Sequence, residues 1–261
     1  MAELEQIRTE LISLKNPIKA EHSKSYLKSP YEFYGITVPQ LRKIAQKYKN
    51  LDIYATFNLF DELWGSNNHE EMSLALFLLT NHKKKFNVEF WDFLTNQKRI
   101  DKFKTWDHVD EACSHTLGVV LASNVHLNSE IKKFAESRNP WTRRISIVSQ
   151  YPCIKKGKLQ LTFLLAEKLA YDEDVYVQKA TGWMLREAGK KNLIQVKEFL
   201  KHHMDMKPIC LSYATEKMPD FKKQLKEKIK LEKENGKENT FSDTQKDNSN
   251  SELNKIKYFK N

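Results

Sequence analysis

Glycine is scarce in this chain: seven in 261 residues. No pair has the spacing of a G-x-G-x-x-G dinucleotide loop. Gly182 and Gly189 come closest, and even with Lys190 following they do not make a phosphate loop. The same scarcity argues against collagen-like and tight-turned all-β architectures. Cysteine is scarcer still. Cys113, Cys153 and Cys210 are odd in number, far apart and without a C-x-x-C. They read as buried free thiols of a reducing compartment, not as a disulfide frame or a zinc site. No window approaches eighteen apolar residues, so no membrane-spanning helix is expected. Met1-Ala2-Glu3-Leu4-Glu5 lacks the apolar stretch of a signal peptide, and a cytoplasmic location is the expectation. No cofactor motif appears. No metal site is expected either, since the adjacent His202 and His203 would point apart on a helix.

What the chain does have is positive charge. Forty-four Lys and Arg stand against thirty-four Asp and Glu, a formal net charge of +10. Such a balance points towards polyanions, nucleic acid first. From Leu231 the composition turns polar, with six lysines against six acidic residues up to Asn261. The division expected is a folded part over 1–230 and a disordered tail over 231–261. The charge excess then belongs wholly to the folded part. Within it, His82-Lys-Lys-Lys85, Lys132-Lys133, Lys155-Lys156 and Lys190-Lys191 fall near helix ends. Each is a solvated turn taken singly; together they could line one edge.

Apolar residues recur at helical spacing and no segment alternates as a strand would. Leu4, Ile7, Leu11 and Leu14 mark a first helix ended by Pro17, and 19–28 a second stopped by Ser29-Pro30. Thr37, Asn67 or Asn68, Thr105, Asn139 and Asp174 stand as N-caps of later helices. Short connections between helices of ten to sixteen residues suggest antiparallel pairs stacked into a solenoid. Trp106, Trp141 and Trp183 lie thirty-five and forty-two residues apart, close to a two-helix HEAT-type period.

Three segments could carry chemistry. In Thr105-Trp-Asp-His-Val-Asp110, Trp106 and Asp110 share a helix face. They suit a cationic or electron-poor ligand, or else a buried tryptophan beside an aspartate that caps or pairs with an arginine. Asp107 and His108 point elsewhere, towards solvent or a cap. In Asn139-Pro-Trp-Thr-Arg-Arg144, Arg144 could grip a phosphate through its planar fork or form an inter-helix salt bridge. In Asp174–Glu187, Gly182 inside a helix costs about 1 kcal/mol against alanine. That marks a close approach by a helix or a ligand, with Trp183 beside it.

These segments resemble the AlkD-type DNA alkylation repair glycosylases. That family carries W-x-x-V-D, W-x-x-R and K-A-x-G-W-x-L-R-E in this order. Here they stand as Trp106-Asp-His-Val-Asp110, Trp141-Thr-Arg-Arg144 and Lys179-Ala-Thr-Gly-Trp-Met-Leu-Arg-Glu187. Tyr26-Leu-Lys28, Phe33-Tyr-Gly-Ile36 and Pro39-x-x-Arg42 look like the family's N-terminal pattern. The resemblance spans about 20–220. It implies an all-α, curved solenoid of HEAT-like helix pairs with a basic concave DNA-binding face. It also implies a monomeric, metal-free and cofactor-free glycosylase that releases cationic N3- and N7-alkylated purines from duplex DNA without flipping them. Trp106, Asp110 and Trp183 correspond to the catalytic cleft. Arg143, Arg144, Lys179 and an N-terminal tyrosine, Tyr34 or Tyr26, correspond to DNA contacts. A non-catalytic HEAT-repeat protein that binds distorted or branched DNA is the alternative. A protein–protein adaptor is disfavoured by the lysine clusters.

Overall fold

Caps and prolines set the helix boundaries in the computed structural model, which describes residues 2–231. α1 (Ala2–Ser13) is followed by α2 (Pro17–Leu27), whose start is fixed by Pro17 in its first turn and by Asn16, which accepts from the Lys19 N–H at 3.0 Å. Proline therefore opens the second helix as well as closing the first, because its missing N–H costs nothing in a first turn. α3 (Val38–Lys47) begins after Thr37, whose N–H is taken up by the Gln40 side chain at 3.0 Å. α4 (Ile53–Gly65) is capped by Asp52, and α5 (His69–Thr80) by Asn68. Two shorter helices follow, α6 (Val88–Thr95) and α7 (Gln97–Ile100).

α8 (Trp106–Ala112) continues through a π-helical stretch, Cys113–Leu117, into α9 (Gly118–Leu121). Thr105 occupies the N-cap position of α8 without a side-chain capping bond. α10 (Asn128–Phe134), α11 (Pro140–Val148), α12 (Tyr151–Lys155) and α13 (Gln160–Leu169) come next. The last named helices are α14 (Val175–Gly189), α15 (Leu193–His202) and α16 (Pro208–Ala214), and a further helical run covers 219–231. Asn139 and Asp174 cap α11 and α14 as the sequence predicts. There is no strand among the described residues. A single isolated bridge pairs Glu32 with Asn68. The polar segment expected as a tail lies outside the described residues.

The helices stack as a helical repeat solenoid. One row runs α3, α5, α8, α11, α14, α16, each packed on the next. A second row backs it, with α4 on α5, α10 on α11, α13 on α11 and α14, and α15 on α14. Apolar side chains fill the space between, including Trp64, Trp91, Phe60, Phe90 and Phe103, all fully buried. α5 is buried along nearly its whole length, which is why its sequence lacks a polar stripe. The three cysteines are free and buried.

Gly182 meets the expectation of a close approach, and the neighbour is a helix. A Cβ there would lie 2.4 Å from the Cys210 carbonyl oxygen and 2.5 Å from the Tyr213 Cβ, both on α16. Gly182→Ala therefore loses more by displacing α16 than it gains in helix propensity, and should destabilise the fold by about 1–3 kcal/mol. Gly65→Ala, where nothing lies within 4 Å, is the control and should be neutral or mildly stabilising. Urea melts of the two variants test the contrast; equal midpoints would remove the packing argument.

Candidate nucleic-acid cleft

The row of helices brings chemistry together at one place. Trp106 opens α8, and Asp110 follows one turn later on the same face. α11 supplies Arg144, and α14 supplies Tyr176, Lys179, Trp183 and Arg186, four positions that recur three or four residues apart and so share a face. Tyr213 of α16 and Tyr26 and Lys28 at the end of α2 complete an open cleft of about 490 Å³.

Asp110 and Arg144 lie at its base. The Arg144 Nη2 donates to both Asp110 oxygens at 2.8 and 2.9 Å, Nε donates to Oδ1 at 3.1 Å, and Nη1 donates to the Tyr176 carbonyl. The Arg144 side chain is only 6% exposed, whereas Asp110 keeps 20% of its side-chain surface open to the cleft. Burial pushes the Asp110 carboxyl up to about 6; Arg144 pulls it back down and the nearby Asp107 adds to the rise. The aromatic walls are ordered. Tyr26 meets Trp106 edge-on, with centroids 6.1 Å apart and planes at 82°, and Tyr151 packs against Trp183 at 5.7 Å. Trp141 stands outside the cleft and supports Tyr176 from behind at 5.2 Å. Lys28 and Lys179 line the cleft and make no ion pair among the described residues; Lys179 lies 5.7 Å from the Tyr176 ring centroid.

Five of the residues expected from sequence thus converge: Trp106, Asp110, Arg144, Lys179 and Trp183. Their expected roles need correction in places. The inter-helix salt bridge is the reading that holds for Arg144, and its phosphate-gripping role does not fit: its fork faces Asp110 and a backbone carbonyl, leaving one N–H over. Arg143 is turned away altogether. It forms a two-pronged pair with Asp172 at 2.6 and 2.9 Å and donates to the Ser137 and Arg138 carbonyls. Tyr34 is absent from the cleft, because its hydroxyl donates to Glu71 at 2.7 Å; Tyr26 takes that place.

Asp107 and His108, expected at solvent or a cap, belong to a packed polar layer beneath α8. Asp107 accepts from His69 Nε2 of α5 at 2.8 Å. His69 is sandwiched between Phe33, 4.4 Å away, and His108, 4.1 Å away. His108 is fully enclosed and bonded to Ser73 Oγ at 3.0 Å. Burial and the adjoining His69 push it down to about 3, so it stays neutral. Although burial favours the neutral acid, the hydrogen bond from His69 holds Asp107 well below the usual carboxylate range. Among the described residues, His69, Asp107 and His108 are the group whose donor atoms come close enough to hold a metal ion, within 4.8 Å of one another. His202 and His203 do not cooperate. The first donates from Nδ1 to the Glu198 carbonyl and the second stacks on Phe199.

Sequence reasoning missed Tyr176 and Arg186, although their spacing from Lys179 and Trp183 marks one helical face. It also missed Tyr213, for which the sequence carries no signal. Tyr213 reaches the cleft only because α16 packs on Gly182.

Comparison with known proteins bears on the family and the fold. No curated protein matches the chain. A solved structure described as a predicted DNA alkylation repair enzyme from Enterococcus faecalis is similar in fold, with a TM-score of 0.67 and 21% identity, covering 79% of this chain and 97% of its own. The sequence model of the DNA alkylation repair enzyme family matches residues 7–218, a span that contains every cleft residue named above. The chain belongs to the DNA alkylation repair enzyme family.

Proposed function

We propose that this protein is a monomeric DNA glycosylase that hydrolyses the N-glycosidic bond of cationic N3- and N7-alkylated purines, such as 3-methyladenine and 7-methylguanine, in duplex DNA. The observation that carries the reading is the partly open Asp110 carboxylate, fixed by Arg144 at the base of a cleft walled by Trp106 and Trp183. A cationic purine needs no strong general acid to leave. The bond from C1′ to the purine nitrogen breaks with its electron pair on the base, which departs neutral. Positive charge moves to the sugar, next to Asp110. Water adds at C1′ and its proton leaves through the carboxylate to solvent, giving an abasic site and free base. Trp106 and Trp183 offer π faces to the cationic nucleotide, each interaction worth about 0.5–2 kcal/mol. Lys28 and Lys179 reach the neighbouring phosphates. The open shape of the cleft suits a lesion that stays in the duplex better than one swung into a closed pocket.

Arg144 is a positioning residue in this scheme. It holds Asp110 in place and keeps it charged at neutral pH against the pull of burial. The same tight pair favours one rival reading, a DNA-binding scaffold without catalysis in which Asp110 is merely structural. Release of free base from methylated duplex separates the two.

Asp110→Asn should lower the single-turnover rate of 7-methylguanine release about 10²–10³-fold. Duplex affinity should stay within about threefold, since phosphate binding dominates it. Equal loss of both would make Asp110 structural. The ionised carboxylate is the active form, so the rate should be flat above pH 6 and fall about tenfold per unit below it, following the raised Asp110 midpoint. A profile flat down to pH 4.5 would contradict the assignment. Arg144→Ala leaves a buried carboxylate unpaired. It should cost about 3 kcal/mol of stability and move the acid limb upward, while the salt dependence of duplex binding stays unchanged. A slope smaller by one neutralised phosphate would restore the clamp.

A further inference from the structure

A second basic surface lies beyond the cleft, at the C-terminal ends of α3, α5 and the π-helical stretch after α8. It is a groove of about 890 Å³ whose walls include Arg42, Lys49, Lys83, Lys84, Lys85 and His115, and none of its lining residues is acidic. Lys49 and the three consecutive lysines are exposed and make no ion pair among the described residues. One lysine at each helix end would suffice to offset the helix dipoles. Four unpaired lysines around one groove exceed that need.

The groove is built on a rigid mount. The lysines form a short 3-10 turn, Lys83–Lys85, pinned by two hydrogen bonds. His82 Nε2 bonds to Thr56 Oγ1 of α4 at 2.9 Å, and the Lys85 N–H donates to the His82 carbonyl at 2.7 Å. Asn81 Nδ2 donates to the Ala45 carbonyl at 2.9 Å, which locks the end of α5 to α3. The lysine heads are free while their backbone is fixed, the arrangement that a repeating anion exploits with least ordering cost.

Ion pairs link the groove to α8, the helix that carries Asp110. Glu111 follows Asp110 on α8 and pairs with Arg42 of α3 at 2.8 Å, reaching across α5, where the Arg42 guanidinium lies 4.1 Å from the Phe77 ring centroid. His115, one turn further, stands 3.8 Å from the same Glu111. α8 therefore carries Asp110 at the cleft and, on the next residue, a contact to the groove's Arg42.

We infer that this groove is a second phosphodiester-binding surface, which takes the duplex arm flanking the lesion on the α3–α5 side of the cleft. The inference rests on duplex DNA being the substrate. It assigns to the Lys83–Lys85 turn and Lys49 the grip that Arg143 and Arg144, tied up in ion pairs, cannot provide. The chemistry recognised is a backbone of evenly spaced monoanions, with no reading of base edges.

The test is fluorescence anisotropy of the full chain on a duplex of about 25 base pairs across a salt series. The variants are Lys83→Ala/Lys84→Ala/Lys85→Ala, Lys84→Ala and Lys84→Glu, whose thermal midpoints report folding. Each phosphate that is no longer neutralised should reduce the slope of log affinity against log salt by about 0.9. The triple variant should therefore bind with a slope smaller by about 2.7 units if each lysine meets one phosphate, with Lys84→Glu weakening binding further than Lys84→Ala. On a duplex truncated on one side of the lesion, so that no backbone reaches the groove, wild type and variant should bind alike. An unchanged slope on the long duplex, or an equal deficit on both truncated forms, would overturn the proposal. Free-base release by the wild type is scored in parallel. Its absence with a reduced slope removes the glycosylase reading and leaves the groove standing; its presence with an unchanged slope does the reverse.

Discussion

The pair between Asp110 and Arg144 is the constraint on which the site depends. A carboxylate and a guanidinium taken from water cost several kcal/mol each unless their geometry is nearly ideal. Here the fork meets both oxygens of Asp110, and its remaining arm finds the Tyr176 carbonyl. Three consecutive helices of the row, α8, α11 and α14, are thereby held in one register. Trp106, one turn before Asp110, and Trp183, two turns after Tyr176, take their places as a consequence. Burial favours the neutral acid and Arg144 the anion. The carboxylate therefore titrates close to the physiological range while keeping an edge open to the cleft.

A second set of polar interactions fixes the N-terminal wall of the cleft, and it radiates from the first turn of α5. His69 reaches α8 through Asp107. Glu70, buried, accepts from the Tyr34, Gly35 and Ile36 amides at 2.7–3.1 Å. Glu71 accepts from Arg8 of α1 and from the Tyr34 hydroxyl. Gly35 is required in that loop, with φ at +82° and a Cβ position only 2.1 Å from the Asn16 carbonyl oxygen. The loop then hands the chain back so that α2 can lay Tyr26 against Trp106. Tyr34 looks like a ligand-binding residue in the sequence and is a structural strut in the fold, because a carboxylate lies within reach of its hydroxyl.

Arginine and lysine differ in how often they are tied. Arg8, Arg42, Arg99, Arg143, Arg144 and Arg186 pair with carboxylates. Lysine is split: Lys24, Lys47, Lys155, Lys168, Lys190, Lys201, Lys207 and Lys217 also pair, whereas Lys28, Lys49, Lys83, Lys84, Lys85 and Lys179 make no such pair among the described residues. The planar fork of arginine suits fixed two-pronged bonds, while the hydrated lysine head stays mobile at a surface. The net charge of +10 is therefore felt outside the fold mainly through lysine. A count of charge cannot reveal this division, since an arginine inside an ion pair counts the same as a lysine in water.

The helices, most of their caps and the strained approach at Gly182 were legible in the sequence because they arise from local rules: apolar spacing, capping oxygens, and the cost of glycine inside a helix. The cluster of Trp106, Asp110, Arg144, Lys179 and Trp183 was reached through the resemblance to a known family and not through spacing, since the interval that joins Trp106 and Trp183 also includes Trp141, which stands outside the cleft. Partner choice was not legible. Whether Arg144 meets a carboxylate or a phosphate, whether His108 faces water or lies under Trp64 and His69, and whether Tyr213 reaches the cleft all depend on residues thirty or more positions away. Sequence determined which elements form and which faces they present; only the packing of one helix on the next decided which charges are cancelled and which remain for a ligand, because that depends on distances that local spacing does not encode.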